Sequence, residues 1–293
     1  MTTSSLITIV TPSYNRAHTL PLLYQSLQKQ NIKNFVWLIV DDGSCDDTEK
    51  VVGQFITQGY ELQYVKKENG GKHTALNVAF RMIETELTFI VDSDDVLLPN
   101  ATLLIEKDWK KYSSFNLCGI SYLRGYDEIH PIGDLFPNES TIDNFINLRF
   151  NRHINGDKAE VWVTALLKQY TFPEYEGEKF LGESYMWVKL SEKHDMLFRN
   201  EIIYLTQYLE EGLSRSGRAL RIRCPRGGMA NALIMMHPRF SIDQRIKGGI
   251  LYTTYSFFAN LSFREILGNL YPLLILVCYF PGWIVYKKWR KYL

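Results

Sequence analysis

The chain has 293 residues, of which 46% are hydrophobic and 22% are charged, so it can bury a core and is not an intrinsically disordered protein. Its net charge of +1 conceals an asymmetry, because residues 215–293 hold 13 Lys and Arg against 2 Asp and Glu. A basic tail with apolar content near its end favours a membrane over nucleic acid as its partner.

The cysteines and the N-terminus bear on the compartment of the chain. The four cysteines are widely spaced and form no C-x-x-C pair, which argues against a zinc site and a disulfide framework. The N-terminal sequence MTTSSLITIVTPSYN lacks a basic region followed by a long apolar stretch, so we expect no signal peptide. Both features predict a chain that stays inside the cell.

Residues 6–91 alternate short apolar runs with amphipathic stretches, a pattern that predicts alternating strands and helices. The predicted strands are residues 6–11, 35–40, 62–65 and 87–91, and the predicted helices are residues 20–30, 47–56 and 72–83. This alternation implies an α/β fold with a Rossmann-like, mostly parallel sheet and helices on both faces. Ligands of such sheets bind beyond the carboxyl ends of the strands. Four polar loops therefore converge there, at residues 13–16, 41–44, 69–72 and 92–95.

The rest of the chain is less regular. We predict helices at residues 100–112, 182–191, 231–236 and 242–259, strands at 117–122 and 161–167, a strand pair at 196–199 and 202–205, and a loop-rich stretch at 125–155. Residues 270–286 carry no charge but are interrupted by Pro272 and by Pro281-Gly282, and basic and aromatic residues follow them. A spanning helix needs about 20 apolar residues, which favours a hairpin or re-entrant segment in the membrane interface. A true span and a core or oligomer-interface helix are the alternatives.

The acidic run Asp92-Ser93-Asp94-Asp95 follows the fourth predicted strand. Three carboxylates within four residues repel one another, and a bound cation relieves that repulsion. Mn²⁺ or Mg²⁺ prefers carboxylate oxygens and is often held by one or two of them together with substrate phosphates. The alternative is a solvated turn in which an Asp caps the next helix.

The other three loops offer groups that complement a nucleotide. Asp42 can accept a hydrogen bond from a base or a ribose, or it can serve turn geometry alone. Tyr14 can stack on a base, and Arg16 and Lys72 can contact phosphates. Together the loops supply a base platform, cations and a metal site, which is the set needed to stabilise a departing nucleoside diphosphate.

The segments TPSYNR, VDDGS, NGGKHTALN and DSDD followed by LLP resemble family 2 glycosyltransferases, which have the GT-A fold. The resemblance covers residues 6–99 and continues weakly through FPEYEGEKFLGESYMW and YLEEGLSRS. It implies that Pro12, Tyr14 and Asp42 hold the base and ribose, with uracil the commonest base, and that Lys72 lies near the nucleotide.

The same resemblance implies the catalytic centre. Asp92 and Asp94 match the D-x-D motif of the family, with Asp94 the direct ligand of Mn²⁺ or Mg²⁺ and Asp95 beside the donor sugar. The family inverts the anomeric centre with a carboxylate base, often in a Glu-Asp pair after a glycine. Here Ser184 replaces the Asp, so Glu183 is the candidate base. Its alternative role is that of an N-terminal helix charge.

Residues 212–218 are predicted to form a mobile loop in which Arg215 or Arg218 meets the diphosphate, or else a basic linker. A nucleotidyltransferase is the alternative enzyme, but its usual G-x-G-x-R loop is absent, as is the G-x-G-x-x-G of dehydrogenases. An inactive scaffold with the same fold is a further alternative. The Q-x-x-R-W motif of processive synthases is also absent, which favours addition of single sugars.

These expectations combine into one assignment. Residues 1–214 form the glycosyltransferase domain, with a nucleotide-binding part at 1–99 and an acceptor part at 100–214. Residues 215–293 form a basic helical extension whose segment 270–293 contacts the membrane. The function implied is inverting, metal-dependent transfer from a UDP-sugar to a saccharide or a polyprenyl-diphosphate-linked saccharide, at the cytoplasmic face of the membrane, by a peripheral or monotopic protein.

Overall fold

The computed structural model describes residues 5–206 and 213–292, the latter without the side chains of residues 213–216. The strands are β1 Ile7–Ser13, β2 Phe35–Asp41, β3 Glu61–Lys66, β4 Leu87–Ile90, β5 Val96–Leu97, β6 Gly119–Gly125, β7 Ser140–Asp143, β8 Lys158–Val163 and β9 Met196–Leu205. The helices are α1 Leu20–Gln28, α2 Thr48–Val52, α3 Lys72–Met82, α4 Ala101–Tyr112, α5 Thr164–Leu167, α6 Ser184–Ser191, α7 Leu213–Arg223, α8 Pro225–Ile234, α9 Ile242–Phe258, α10 Phe263–Leu267 and α11 Pro272–Trp289.

The N-terminal strands confirm the predicted alternation of strand and helix. β1 pairs in parallel with β2 and with β4, and β2 pairs in parallel with β3. All seven residues of β1 are buried, as the apolar run of its sequence requires of a central strand covered on both faces. The carboxyl ends of these strands therefore meet at one edge of the sheet.

Beyond β4 the sheet is mixed, so the expectation of a mostly parallel sheet holds only for its N-terminal part. The described strands form one sheet in the order β3-β2-β1-β4-β8-β6-β9-β5, with β7 paired to β9. β8 is antiparallel to both of its neighbours, and its register places Val161 opposite Phe89. The first residues of β8 consequently lie beside the carboxyl end of β4, next to the acidic loop.

Several predicted boundaries are wrong. The helix predicted for residues 231–236 is α8, which begins at Pro225, and the strand predicted for 117–122 is β6, which ends at Gly125. Three further errors have a local cause. The helix predicted for residues 47–56 ends at Val52, where Gly53 follows. The strand predicted for 161–167 ends at Val163 and continues as α5, because an apolar run does not distinguish a strand end from a short helix. The predicted strand pair 196–199 and 202–205 is the single strand β9, whose register against β6 shifts near its polar middle.

The C-terminal residues form a helical bundle. α11 begins at Pro272, one of the two predicted interruptions, but the break predicted at Pro281 is wrong. α11 continues through Pro281 for 18 residues. It packs on α9 so closely that a Cβ on Gly249 would lie 2.7 Å from the Cys278 Sγ, and one on Gly282 would lie 2.6 Å from the Thr253 Cβ. A proline removes only one helical hydrogen bond, and this packing keeps the helix continuous. In residues 5–206 and 213–292, no helix combines the length and the apolar character needed to cross a membrane.

Candidate functional site

A single cleft of about 1260 Å³ brings the polar loops together at the carboxyl edge of the parallel strands. The segments that follow β1, β2 and β4 line it, together with the first residues of α3, β8 and α6. The predicted site residues that line it are Pro12, Tyr14, Arg16, Asp42, Lys72, Asp92, Asp94, Asp95 and Glu183. The predicted convergence of the loops is therefore confirmed.

Asp92 pairs with two cationic side chains of the cleft. Its Oδ1 lies 2.5 Å from the Lys72 Nζ, and its Oδ2 lies 3.8 Å from the Arg124 Nη1. Burial acts to raise the pKa of Asp92, but the charges of Lys72 and Arg124 outweigh it and lower that pKa. Asp92 is thus an ionised group whose charge the protein itself already balances.

Asp95 and Asp94 differ from Asp92 in their surroundings. Asp95 is buried, accepts a hydrogen bond of 2.7 Å from the Tyr204 hydroxyl, and lies 3.5 Å from the Arg124 Nη1. Burial and the charge of Asp92 raise the pKa of Asp95 to about 7. The same two causes raise the pKa of Asp94. A cation placed against Asp94 would relieve that repulsion.

Arg124 and Tyr204 support the acidic run, and the sequence analysis did not identify either. The Arg124 guanidinium lies over the Tyr204 ring at 4.0 Å from its centroid, and its Nε donates to the Lys158 carbonyl. The Tyr204 hydroxyl also accepts a hydrogen bond of 2.9 Å from the Asp92 N–H. Both residues come from β6 and β9, so their role depends on strand pairing that no local sequence signal reveals.

Lys72 connects the acidic run to the candidate base. As the first residue of α3, it places its Nζ 3.2 Å from the Glu183 Oε1 while contacting Asp92. Burial acts to lower the pKa of Lys72, but the charges of Asp92 and Glu183 outweigh it and raise that pKa. The preceding Gly71 has φ of 95°, and a Cβ there would lie 2.0 Å from the Lys179 carbonyl oxygen. Only glycine therefore permits this start of α3.

Asp42 is tied to the neighbouring turn. Its carboxylate accepts hydrogen bonds from the Lys67 Nζ at 2.8 Å, the Gly70 N–H at 2.9 Å and the Gly71 N–H at 2.7 Å. It is also 3% exposed. These contacts give Asp42 the turn-forming role that was the alternative to nucleotide binding. It still lines the cleft, so contact with a base or ribose stays a prediction.

The loop after β1 leaves an aromatic ring open to the cleft. Tyr14 is 45% exposed and lines the cleft. Asn15 next to it has φ of 53°, and its N–H donates to the Ser44 Oγ at 2.8 Å. The Arg16 N–H donates to the Thr48 Oγ1. The backbone of the loop is thus fixed by the segment after β2, while the Tyr14 ring lies where a base could stack.

The location of Glu183 is compatible with both of the roles considered for it, the catalytic base and the charge at a helix N-terminus. It is the residue before α6, where a negative charge meets the helix N-terminus, and it also lines the cleft. The Ser184 that replaces the Asp of the family lies 3.2 Å from the Asn231 Oδ1 through its Oγ. Ser184 therefore contacts the C-terminal bundle, and the carboxylate on the cleft side is that of Glu183.

Residues 212–218 were the predicted source of the diphosphate contacts Arg215 and Arg218, and the described part of this segment does not form the predicted loop. From Leu213 onwards the chain is helical, with a kink at Gly217, so the predicted loop is wrong for that part. Arg218 does not line the cleft; its guanidinium lies over the Trp289 and Tyr292 rings at 4.9 and 5.0 Å. Two aromatic rings at the end of the chain hold it away from the expected position. The Arg215 side chain lies outside the described residues.

The donor set is compatible with a metal held jointly by protein and substrate. Within the described part of the chain, no three His, Cys, Asp or Glu side chains are arranged to hold a metal by themselves. Asp94 nevertheless offers a carboxylate whose pKa is raised by burial and by the charge of Asp92. One or two carboxylates completed by phosphates and waters is the arrangement usual for Mg²⁺ in phosphate chemistry.

Comparisons with known proteins agree with this fold and cleft. Residues 8–152 match the family described as Glycosyl transferase family 2. The UDP-Glc:alpha-D-GlcNAc-diphosphoundecaprenol beta-1,3-glucosyltransferase WfgD of Escherichia coli is 27% identical over 195 residues, which are 63% of this chain and 69% of WfgD. Three other curated relatives are 27–34% identical, and the chain spans about a third of their length.

Two solved structures share the fold. S. aureus TarS 1–349 in complex with UDP-GlcNAc superposes with a TM-score of 0.61 at 19% identity, over 98% of this chain and 92% of TarS. The mannosyltransferase PcManGT from Pyrobaculum calidifontis, in complex with GDP-Man and Mn²⁺, has a TM-score of 0.58 at 17% identity, over 99% of this chain and 84% of PcManGT. The GT-A fold expected from the resemblance is thereby confirmed. The chain belongs to glycosyl transferase family 2, through its residues 8–152.

Proposed function

We propose that this chain transfers a single sugar from a UDP-sugar to a saccharide acceptor, with inversion at the anomeric carbon and with the help of a divalent metal ion. The observation that carries the proposal is the position of Lys72, which contacts Asp92 of the acidic run and Glu183 of α6 in one cleft. Lys72, whose charge can balance that of a leaving diphosphate, therefore lies beside Glu183, whose carboxylate can accept a proton.

The donor is proposed to lie along the edge formed by the loops after β1, β2 and β4. Tyr14 stacks on the base, Pro12 and Asp42 border the base and ribose, and Arg16 contacts phosphate. The UDP-GlcNAc bound by TarS and the UDP-Glc named for WfgD support a UDP-sugar as the donor. Asp95, held by Tyr204 and Arg124, borders the donor sugar.

The metal ion is proposed to be held by Asp94, with Asp92 behind it. When bound there, Mn²⁺ or Mg²⁺ would supply Lewis acidity that stabilises the charge developing on the leaving diphosphate. The Mn²⁺ bound by PcManGT supports this choice of cofactor. Asp92 is already balanced by Lys72 and Arg124, so its part is to hold Lys72 in place and to raise the affinity of Asp94 for a cation.

Glu183 is proposed to be the general base. Its carboxylate accepts the proton of the acceptor hydroxyl as that oxygen attacks the anomeric carbon from the face opposite the diphosphate. The bond between that carbon and the diphosphate oxygen breaks in the same step, which inverts the configuration. The ion pair with Lys72 keeps the Glu183 carboxylate oriented in the absence of the acceptor.

The acceptor is proposed to be linked to a polyprenyl diphosphate in the cytoplasmic leaflet of a membrane, as the name of WfgD suggests by analogy. The outer face of α11 is apolar and exposed. Its exposed apolar residues, with those just before it, are Leu270, Leu273, Leu276, Val277, Phe280, Trp283 and Ile284. Lys287 and Lys288 lie in its last turn, where they complement anionic headgroups.

The C-terminal bundle also lies next to the cleft. Leu220 of α7 lines the cleft, while Arg218 of the same helix contacts the Trp289 and Tyr292 rings at the end of α11. α7 therefore lies between the catalytic cleft and the proposed membrane-facing end. Residues 1–214 are proposed as the catalytic domain and residues 215–293 as a peripheral or monotopic membrane anchor, with α7 crossing the boundary and contributing Leu220 to the cleft.

Products of donor turnover test the proposed reaction. The purified chain is incubated with UDP-sugars in two parallel reactions, one containing Mn²⁺ and the other EDTA, and the products are separated. Glycosyl transfer releases UDP in a metal-dependent manner, and sugar appears on an added acceptor. Release of pyrophosphate from UTP and sugar phosphate would instead indicate the nucleotidyltransferase. If neither UDP nor pyrophosphate is released with any donor, the scaffold function is the one that remains.

A further inference from the structure

Glu160 is a charged residue in the middle of a central strand. β8 lies between β4 and β6, and its residues alternate between the two faces of the sheet. Ala159 and Val161 belong to the core on one face, and Trp162 belongs to the core on the other. Glu160 shares the face of Trp162 and lines the cleft. A carboxylate at such a position is costly unless something binds it.

No group of the described chain supplies that partner. Among residues 5–206 and 213–292, no hydrogen bond and no ion pair within 4.0 Å reaches the Glu160 carboxylate. Lys158, on the same face two residues earlier, is the opposite case: its buried Nζ donates to the Ile132 carbonyl at 3.1 Å and the Asp134 carbonyl at 2.7 Å. The fold therefore satisfies one buried charge of β8 and leaves the neighbouring one open to the cleft.

The surroundings of Glu160 suit a saccharide. Trp187, Phe150 and Ile154 line the same cleft and offer apolar surface to the carbon-bound face of a sugar ring. Arg149 donates to the Ile154 and Gly156 carbonyls, each at 2.5 Å, which fixes the wall that Ile154 belongs to. A carboxylate beside apolar and aromatic walls is a common way to recognise neutral hydroxyl groups.

Glu160 lies on the side of the candidate base. Trp162, which shares the sheet face of Glu160, stacks on Trp187 of α6 with 4.6 Å between the ring centroids, and Glu183 immediately precedes that helix. Burial, together with the charge of Glu183, raises the pKa of Glu160 to about 7. The proposed base and ribose contacts, in contrast, are on the loops after β1 and β2. A hydroxyl bound by Glu160 would thus belong to the acceptor, whose reacting hydroxyl meets Glu183.

We propose that Glu160 binds a non-reacting hydroxyl group of the saccharide acceptor and thereby determines acceptor specificity. This inference rests on the function proposed above. The alternative role of Glu160 is that of a counter-ion for Arg149 and Arg124, which would make it a structural residue. The two roles differ in what they affect, since acceptor binding changes transfer alone and a counter-ion changes folding and donor turnover as well.

The test compares Glu160→Gln with wild type and with Glu176→Gln, a matched change at an exposed carboxylate outside the cleft. UDP-sugars alone report donor hydrolysis. UDP-sugars with free mono- and disaccharides, and with an alkyl-diphosphate-linked GlcNAc, report transfer. We expect Glu160→Gln to raise the acceptor KM about tenfold to a hundredfold, the loss associated with one charged hydrogen bond, without lowering the melting temperature or changing the donor KM.

Each other outcome counts against the proposal. An unchanged acceptor KM in Glu160→Gln removes the hydroxyl contact, and an equal loss in donor hydrolysis or a lower melting temperature assigns Glu160 a structural role. Donor hydrolysis by wild type without transfer to any of these saccharides overturns the acceptor class. If wild type releases no UDP from any sugar, the function proposed for the chain fails, and this inference fails with it.

Discussion

The Lys72 Nζ and the Glu183 Oε1 lie 3.2 Å apart, and this ion pair joins two parts of the chain that are distant in sequence. Lys72 opens α3 at the edge of the parallel strands, and Glu183 precedes α6. Because the same Nζ also contacts Asp92, one cation is shared by the acidic run and the proposed base. The departure of the diphosphate and the removal of the acceptor proton, as proposed above, therefore both depend on Lys72.

Replacing Lys72 with Met should abolish most of the turnover. The change leaves two carboxylates close together without the cation between them, which misplaces Glu183 and weakens diphosphate binding. We expect kcat/KM for UDP release to fall at least about a hundredfold, equivalent to about 3 kcal/mol. Lys66→Met is the matched control, because Lys66 forms an ion pair of the same length with Glu49 at an exposed site. Equal activity of the two variants would contradict the role of Lys72.

Asp94→Ala should remove the metal dependence without unfolding the chain. The Asp94 carboxylate is not needed to balance a buried cation, so we expect the melting temperature to be retained. We expect turnover to fall at least about a hundredfold, and added Mn²⁺ to restore none of it. Asp47→Ala, at an exposed carboxylate outside the cleft, serves as the control. Full turnover by Asp94→Ala would remove the argument for a metal at this residue.

Asp42→Asn should destabilise the chain whether or not Asp42 contacts a nucleotide. An amide removes the negative charge that pairs with the Lys67 ammonium. Because Gly70 and Gly71 donate to different carboxylate oxygens, the amide also turns its own donor toward one of these two N–H groups. We expect the free energy of unfolding to fall by about 2 kcal/mol, measured by urea denaturation. Glu68→Gln, an exposed change in the same loop, should alter it little. A stable Asp42→Asn that fails only to bind UDP would show that the turn does not need the carboxylate.

The stability of wild type should depend on pH through Glu160. Its pKa is about 7 in the folded chain against 4.5 for an ordinary Glu, so the folded state holds the proton more tightly. The stability from that proton is fully present below 4.5 and is lost as pH rises toward 7. Arg149 and Arg124 oppose this shift, and Glu183 and Asp157 add to it.

The measurement is the melting temperature of wild type and of Glu160→Gln across that pH range. As pH rises from 4.5 to 7, the free energy of unfolding of wild type should fall, relative to that of the variant, by on the order of 1 kcal/mol once solvent screening is allowed for. Parallel curves for the two proteins would show that Glu160 titrates normally.

Phe280→Ser should weaken binding to anionic vesicles. Phe280 is 65% exposed on the apolar face of α11, and its transfer into a bilayer contributes about 2 kcal/mol. We expect the variant to bind phosphatidylcholine–phosphatidylglycerol vesicles roughly thirtyfold more weakly in co-sedimentation. Both wild type and variant should bind vesicles of phosphatidylcholine alone more weakly than the anionic vesicles. Ile56→Ser, a change at an apolar residue that is 74% exposed and lies outside α11, is the control. Identical sedimentation of the two variants would argue against α11 as the contact.

The sequence predicted the parts of the molecule that depend on local pattern. The strands β1 to β4 and their loops follow from apolar periodicity, and because parallel strands end at one edge, Tyr14, Lys72 and Asp92 could be placed in one cleft. Arg124 and Tyr204 could not be placed there, since they reach Asp92 only through the pairing of β6 and β9.

Two further errors have the same physical origin. Arg218 was expected at the diphosphate, but the Trp289 and Tyr292 rings that hold it come from the end of the chain. α11 was expected to break at Pro281, but its packing on α9 keeps it continuous. In both cases a contact between distant segments outweighs the local preference, and a single sequence does not reveal such contacts.

A crystal structure with UDP and Mn²⁺ tests the central claim most directly. The account predicts an anomalous manganese peak against the Asp94 carboxylate, the diphosphate of UDP beside that ion, and the uracil ring against Tyr14. A structure in which the ion and UDP bind outside this cleft, or in which UDP binds here while Asp94 contacts neither ion nor phosphate, would contradict it.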